Sequence, residues 1–518
     1  MDKSSGLDKS GVSQPDKSDR SILLVVKGGS IVFAGTLFGY GCQLLTGILL
    51  TRLLGAEQFG LYKVAVTAGE IAAGFALLGM EYAMVRFVSL FASRGDMERL
   101  RGTLQVGMGL VALSSLLIGA GLFALATPLA LYMFHEPRLI PLLRLASLIV
   151  PFLTLSRVLA SATRGFNKMQ YATGAQQIAQ PLIRLILIAP LVLIGLTAGK
   201  AMIPYIVGVF ATCALLLYFL DHLFPLRRPL QTARRDARGL MLFSLPAYFS
   251  TLLDTFGPNL QTVLLGSLNT IATVGIFAAA AQVSMASSMF NQSIGTTSSP
   301  IVSELHGQGD REQMAHFYQT TTKWMFTANL PVFLIVLLLS EPILAIFGKE
   351  FVEGSTALTI LALANLVIAA AGISDGVLAM TGNTPVKLAN SAAQAVFTIG
   401  LGFMLIPRWG ALGAAVSVLV TAMVVNLLRV SEVFVLFRML PYHLSIIKPA
   451  TAGLAALAIG WLSRQLFHTG THLVIAVMNA FAILAIYVSM ILLLGLSPED
   501  RAVFAHFRRR VATAFSRR

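Results

Sequence analysis

The side chains that could do chemistry here are charged and amide groups set inside apolar stretches. Residues 172–194, ATGAQQIAQPLIRLILIAPLVLI, carry Gln177, Gln180 and Arg184 at i, i+3 and i+7, so all three project from one helical face. The stretch is as long as the roughly 20 residues a membrane span needs, and a cation near the bilayer centre costs about 3 kcal/mol on insertion scales. Such an arginine faces a bundle interior or a water-filled cavity, where charge-assisted hydrogen bonds can hold an anion such as a phosphate. Lys63 and Glu70 stand two turns apart on one face of 59–80, placed either to serve a cavity or to neutralise one another. Ser250, Asp254 and Gln261 share a face of 244–266. Neither Asp254 nor Arg184 has a charged residue at i±3 or i±4, which favours a cavity role for both or a pair between them. Asn291 closes a serine-rich face in 271–294, Asn365 lies deep in 355–379, and Asp375 near its end also suits a cap beside GISDG. Arg157, Asp221, Lys323 and Arg429 sit near span ends, where they are expected to snorkel to the interface.

No Gly-Lys-Ser/Thr phosphate loop, HExxH or CxxC occurs, so an enzyme, an ATP-driven pump and a bound cofactor are not expected. Cys42 and Cys213 both fall in apolar stretches, which argues against a disulfide framework or a metal cluster.

The elements that must position these residues are membrane spans. The chain is 56% hydrophobic and 12% charged, against about 25% charged for soluble domains. The length criterion predicts an all-α polytopic protein of about fourteen transmembrane helices. The net charge of +15 concentrates in alternate loops, among them 86–101, 164–168 and 227–238, and in the tail. By the positive-inside rule both termini are expected to be cytoplasmic. Phe504, Phe507, Val511 and Phe515 share a face of the tail opposite its arginines, a pattern for anionic lipid headgroups and not for nucleic acid.

Three sequence pairs repeat. LLGAEQFGLY (53–62) resembles LLGSLNTIATVGIF (264–277), RGDMER (94–99) resembles QGDREQ (308–313), and ATRGFNKMQYATGAQQ (162–177) resembles AMTGNTPVKLANSAAQ (379–394). The last two offsets agree at roughly 214–217 residues, which indicates an internal duplication. Six spans separate the copies, so two six-helix lobes in the same orientation are predicted, related by an axis along the membrane normal. The organisation expected is a tail and lead-in at 1–28, a first lobe at 29–222, a basic connector at 223–243, a second lobe at 244–440, two further helices at 441–496 and a basic tail at 497–518. Gln177 aligns with Gln394, and Lys387, Asn390 and Gln394 again fall at i, i+3 and i+7; Asp254 aligns with Gln43. Arg184 aligns with Leu401, so that charge belongs to one lobe.

The order LLGAEQFGLY, SRGDMERL, SATRGFNKMQY, a polar fifth helix, LLGSLNTIATVGIF, SELHGQGDREQM and MLIPRWGALGAA resembles the polysaccharide-biosynthesis flippases of the multidrug/oligosaccharidyl-lipid/polysaccharide exporter superfamily over residues 25–440. The resemblance implies two lobes around a central cavity and alternating access. It also implies transfer of a polyprenyl-diphosphate-linked glycan to the outer leaflet, in functional association with glycosyltransferases or a polymerase. On this reading Arg184 meets the diphosphate or an acidic sugar, with Gln177, Gln180, Gln394, Asn390, Asn291, Gln43 and Lys63 lining the path. Asp254, Glu70 and Asp375 are then the candidates for coupling to H+ or Na+. Two alternatives stand beside it. An ion-coupled multidrug or metabolite antiporter of the same superfamily would need a cavity suited to cations. A membrane-embedded glycan polymerase or ligase would need a large external loop, whereas the longest here, 341–354, spans about fifteen residues.

Overall fold

The computed structural model describes residues 17–192, 195–225, 237–466, 473–495 and 500, with side chains except at 17–33, much of 245–258 and a few further positions. The amphipathic tail expected at 501–518 and the centre of the basic connector lie outside the described residues, as does the side chain of Asp254. Every described regular element is a helix: α1 (Lys17–Ala76), α2 (Met80–Arg94), α3 (Met97–Pro128), α4 (Leu139–Ser147), α5 (Ile149–Gly165), α6 (Met169–Thr173), α7 (Gln180–Leu191) and α8 (Ala198–Leu223), then α9 (Ala237–Leu268), α10 (Ile271–Gln308), α11 (Arg311–Ala345), α12 (Ser355–Ala371), α13 (Ser374–Met380), α14 (Thr384–Phe437), α15 (Ile447–Leu466) and α16 (Leu473–Leu493).

Among the described residues ten helical stretches are long and apolar enough to cross a membrane. Two of them bend back. A straight α1 of 60 residues would run about 90 Å, three times the hydrocarbon core. Its helical dihedrals break instead at Gly55 (φ 72°, ψ 176°), and α14 breaks likewise at Gly410 (φ 51°, ψ −125°). Each therefore supplies two crossings, and α9 and the α6–α7 pair complete the expected set.

The duplication is visible in backbone detail. Gly95 (φ 69°) ends α2 and Asp96 caps α3 by accepting from the Arg99 N–H at 3.0 Å. In the second half Gly309 (φ 73°) ends α10 and Asp310 caps α11 through the Gln313 N–H at 3.0 Å. A glycine in the left-handed region followed by an Asp N-cap is the cheapest tight turn between helices, and both copies of the RGDMER/QGDREQ motif use it.

Core packing divides the molecule unequally. One apolar core joins the two halves at the end bearing the Gly55 bend, with Leu50, Ala56 and Phe59 packed with Val274, Phe277, Phe351 and Leu358. Toward the opposite, basic end the halves have separate cores, one around Met80, Leu104, Leu159 and Leu216, the other around Val302, Tyr318, Ile373 and Val433. The start of α9 joins the first of these: Leu240 is part of it, and the Tyr248 hydroxyl donates to Phe75 O at 2.7 Å. The last two helices, α15 and α16, pack on α11 through a fourth core.

Candidate functional site

The shared core closes the bend end tightly because one segment, Ala56–Glu57–Gln58, meets three other loops. The Ala56 N–H donates to Glu350 Oε2 at 2.9 Å, Arg138 donates to Glu57 at 2.5 Å, and Gln58 Oε1 accepts from the Ala198 N–H at 3.2 Å. Arg52 Nε adds a bond to Ile346 O at 2.6 Å. Glu136 also binds Arg138, and that hydrogen bond holds its carboxyl below the ordinary carboxylate value. Gly60 lies against Ile271 O, and Gly275 against Ala56 O, at separations that admit no Cβ. The LLGAEQFGLY stretch, expected as one copy of a repeat and as a family motif, is thus also the hub of the seal in the first lobe.

Between the separate cores lies a cavity of about 1060 Å3, at the upper end of the roughly 300–1,000 Å3 of small-molecule sites. Gln43, Lys63, Glu70, Gln177, Gln180, Arg184 and Gln394, all singled out from the sequence, line it. The fifth span presents Gln177, Gln180 and Arg184 through a break in its α-helix. Gly174–Ala179 is a π-turn, not α-helix, and the wider turn brings Gln176 as well as Gln177 onto the wall. Pro181 accounts for it, since its ring excludes the carbonyl four residues earlier. That carbonyl, Gln177 O, is received instead against Gly39 of α1, where a side chain would collide with it.

Arg184 is held from three sides. Its Nη2 donates to the Tyr62 hydroxyl at 2.9 Å, and its guanidinium lies over the Tyr205 ring, 4.4 Å from the centroid. Its stem runs along Gly208 of α8, where a Cβ would stand 2.9 Å from Arg184 Cγ. Tyr205 in turn donates to Glu70 Oε1 at 3.0 Å. Lys63 lies over the Phe59 ring at 5.9 Å. The second-lobe candidates are arranged differently. Asn390 donates to Glu432 at 2.6 Å, Asp375 pairs with Arg429 at 3.4 Å and Lys387 at 3.5 Å, and Asn291 joins Asn329 and Asn365 between α10, α11 and α12. Asn390, Asp375 and Asn291 are not among the described residues that line the cavity.

Two of the expected snorkelling residues are cavity residues: Arg157 and Arg429 line it, as does Arg164. Lys323, also expected at the interface, is buried and paired with Asp500 at 2.8 Å. The described lining residues thus include five cations, Lys63, Arg157, Arg164, Arg184 and Arg429, against Glu70 and Glu81.

A family model described as polysaccharide biosynthesis protein matches residues 25–306, more than half of the chain. The chain belongs to the polysaccharide biosynthesis protein family. A second family model, MatE, matches residues 246–404. Family relatives include Stage V sporulation protein B of Bacillus subtilis, 21% identical over 85% of this chain and 89% of that protein. Another is the probable low-salt glycan biosynthesis flippase Agl15 of Haloferax volcanii, 25% identical over 35% of this chain and 39% of that protein. Among solved structures the fold matches the lipid II flippase MurJ in an inward closed conformation, with a TM-score of 0.71, 13% identity, and coverage of 90% of this chain and 98% of that one.

Proposed function

We propose that this protein is a flippase that carries a polyprenyl-diphosphate-linked oligosaccharide from the cytoplasmic to the outer leaflet by alternating access, for cell-surface polysaccharide biosynthesis. The observation that carries this reading is Arg184, a cation held by Tyr62 and Tyr205 on the wall of a cavity sealed at one end. A diphosphate and its sugars cannot cross hydrocarbon unaided, since each unsatisfied polar group there costs several kcal/mol. A preorganised guanidinium offsets desolvation of the diphosphate with charge-assisted hydrogen bonds. Lys63, Arg157 and Arg164 extend the same positive wall.

In the proposed orientation the basic end is cytoplasmic, in a bacterial or archaeal cytoplasmic membrane, with the first lobe at 29–222 and the second at 244–440. The cavity then faces the leaflet where lipid-linked glycans are assembled, and anionic lipid headgroups meet the basic loops. The described polar link between α1 and α10 nearest that end is Tyr40 to the carbonyls of Gln282 and Val283. Beyond it Leu37 and Phe38 of α1 and Phe290 and Ile301 of α10 are exposed, an apolar flank along which an isoprenoid tail can remain in lipid. Coupling to H+ or Na+ falls to Glu70, which faces the cavity, or to Asp254, because Asp375 is off the cavity lining and engaged by two cations.

A drug antiporter, the reading the MatE match favours, would bring a cationic substrate against five lining cations, which repel it. The test is Arg184→Ala. Glycan export should fall at least about tenfold, the scale of a lost charged hydrogen bond, with membrane abundance unchanged. Full export by that variant would sink the proposal.

A further inference from the structure

The two walls of the cavity differ in chemistry. On the side built by α1–α8 the lining includes Lys63, Glu70, Glu81, Arg157, Arg164 and Arg184. On the side built by α9–α14 the charged lining residue, among the described ones, is Arg429 alone; amides and hydroxyls take the place of charges there. Two of those neutral groups are buried with unmet hydrogen-bonding capacity. Gln261, 2% exposed, donates from Nε2 to Ser417 Oγ at 2.9 Å, while its Oε1 has no partner among the described residues. The amide orientation is fixed by its neighbour: Ser417 spends its hydroxyl proton on Ala414 O at 2.8 Å, so it can only accept from Gln261. The free end of Gln261 is therefore its acceptor. One turn beyond Ser417, Thr421 is 4% exposed and its Oγ1 is likewise unpartnered among the described residues. Buried helical threonines elsewhere in the chain, such as Thr154, Thr212 and Thr322, satisfy that oxygen on the carbonyl four residues earlier. Thr421 forgoes this usual bond.

A buried, unpaired acceptor is costly and rare in folded proteins. Two on the cavity wall that also carries Gln394 and Thr398, against Thr46 alone among the described lining residues of the other wall, mark a place that a ligand rich in hydroxyl or amide N–H groups completes. We infer that the α9–α14 wall is a saccharide subsite, in which Gln261 and Thr421 bind the hydroxyl or acetamido groups of an uncharged sugar while the diphosphate lies on the opposite wall. The inference rests on the flippase reading and adds to it: the headgroup spans the cavity with its anionic part on the first lobe and its neutral sugar on the second. Gly257, 3.2 Å from Gln394 Nε2 at the position its Cβ would take, leaves room for that amide beside the sugar.

The test compares two probes on the purified full-length protein: farnesyl diphosphate, and farnesyl diphosphate bearing one N-acetylglucosamine. The parent should bind the glycosylated probe about tenfold more tightly, the worth of one or two hydrogen bonds to otherwise unpaired groups. Gln261→Leu with Thr421→Val should abolish that ratio while keeping the parent Kd for farnesyl diphosphate, which also reports that the variant is folded. Gln261→Leu with Thr421→Ser, which keeps the hydroxyl, should recover part of the ratio. A ratio near one in the parent, or an undiminished ratio in Gln261→Leu/Thr421→Val, overturns the subsite. Unchanged farnesyl diphosphate binding by Arg184→Ala would instead overturn the diphosphate site, so the two failures are told apart.

Discussion

A guanidinium acts as an anion site only if it is both paired enough to stay in the membrane and free enough to bind. Tyr62 and Tyr205 together meet both conditions, since one accepts a single hydrogen bond from Arg184 and the other offers a ring face. Neither tyrosine neutralises the charge. Because the Tyr205 hydroxyl also reaches Glu70, the anion site and the proposed coupling carboxylate share one side chain. Two substitutions separate its roles. Tyr205→Phe keeps the ring beneath Arg184 and frees Glu70, so affinity for a prenyl diphosphate should change less than about threefold. Tyr205→Leu removes the ring too and should weaken that affinity roughly five- to tenfold, the equivalent of about 1–1.4 kcal/mol of cation–π stabilisation. An equal loss of affinity in Tyr205→Phe and Tyr205→Leu would show that the hydroxyl and not the ring supports Arg184. Arg184 is legible in the sequence because a cation in an apolar run has few harmless explanations. Its tyrosines are not, because tyrosine is common in spans and its partner is fixed only by tertiary packing. Arg157 and Arg429 look like snorkelling residues from sequence because they fall near the ends of spans about 20 residues long. Their helices run on past the predicted span ends, α5 to Gly165 and α14 to Phe437, so a position near the end of a predicted span can still face the cavity.

At the scale of elements, crossings are easier to read from sequence than the junctions between them. Apolar run length sets the number of spans, and the Gly-Asp turns of the duplicated motif are readable as caps. The π-turn in the fifth span is not, since an α period carried through Pro181 conceals it. Nor is the seal at Gly55, whose partners come from three loops distant in sequence. Gly55 holds φ 72° and ψ 176°, a region that essentially only glycine occupies. A Cβ there would meet Glu350 Oε2 at an ordinary 3.4 Å, so backbone strain and not crowding is the penalty. Gly55→Ala should cost about 1–3 kcal/mol, read as a lower melting temperature of the purified protein. Glu350→Ala attacks the same junction from the other lobe, since the carboxylate caps the N-terminus of the second half of α1 through the Ala56 N–H. Losing such a cap costs about 1 kcal/mol, and here the loss falls on the closed bend end alone. A milder thermal effect than that of Gly55→Ala is expected. A melting temperature for Gly55→Ala equal to that of the parent would remove the strained bend as a structural requirement.

The whole molecule is two halves joined by one core at one end and, apart from the start of α9, parted toward the other. That division makes alternating access a matter of which end is packed, and it makes the shared core the element that must separate for release. The close approach there depends on glycines. Gly275 lies against Ala56 O and Gly60 against Ile271 O with no room for a Cβ, and both contacts cross between the halves. The added side chain of Gly275→Leu cannot be absorbed by moving a flexible neighbour, because the obstacle is backbone; it must drive α1 and α10 apart at the bend end. Closure at the basic end is untouched by the substitution, so the equilibrium should move toward the state open at the bend end. Leu50, 2% exposed and on the cavity wall beneath the seal, reports the change. With Cys42 and Cys213 replaced, Leu50→Cys should resist an impermeant thiol reagent applied to the outer face of cells. Adding Gly275→Leu should make it react, at least several-fold faster. Labelling that stays slow from outside, with the variant present at normal abundance, would mean that the shared core is not the outer gate. Fast labelling from the outer face with Gly275→Leu dispensable would reverse the proposed orientation, since the cavity already reaches Leu50 from the basic end.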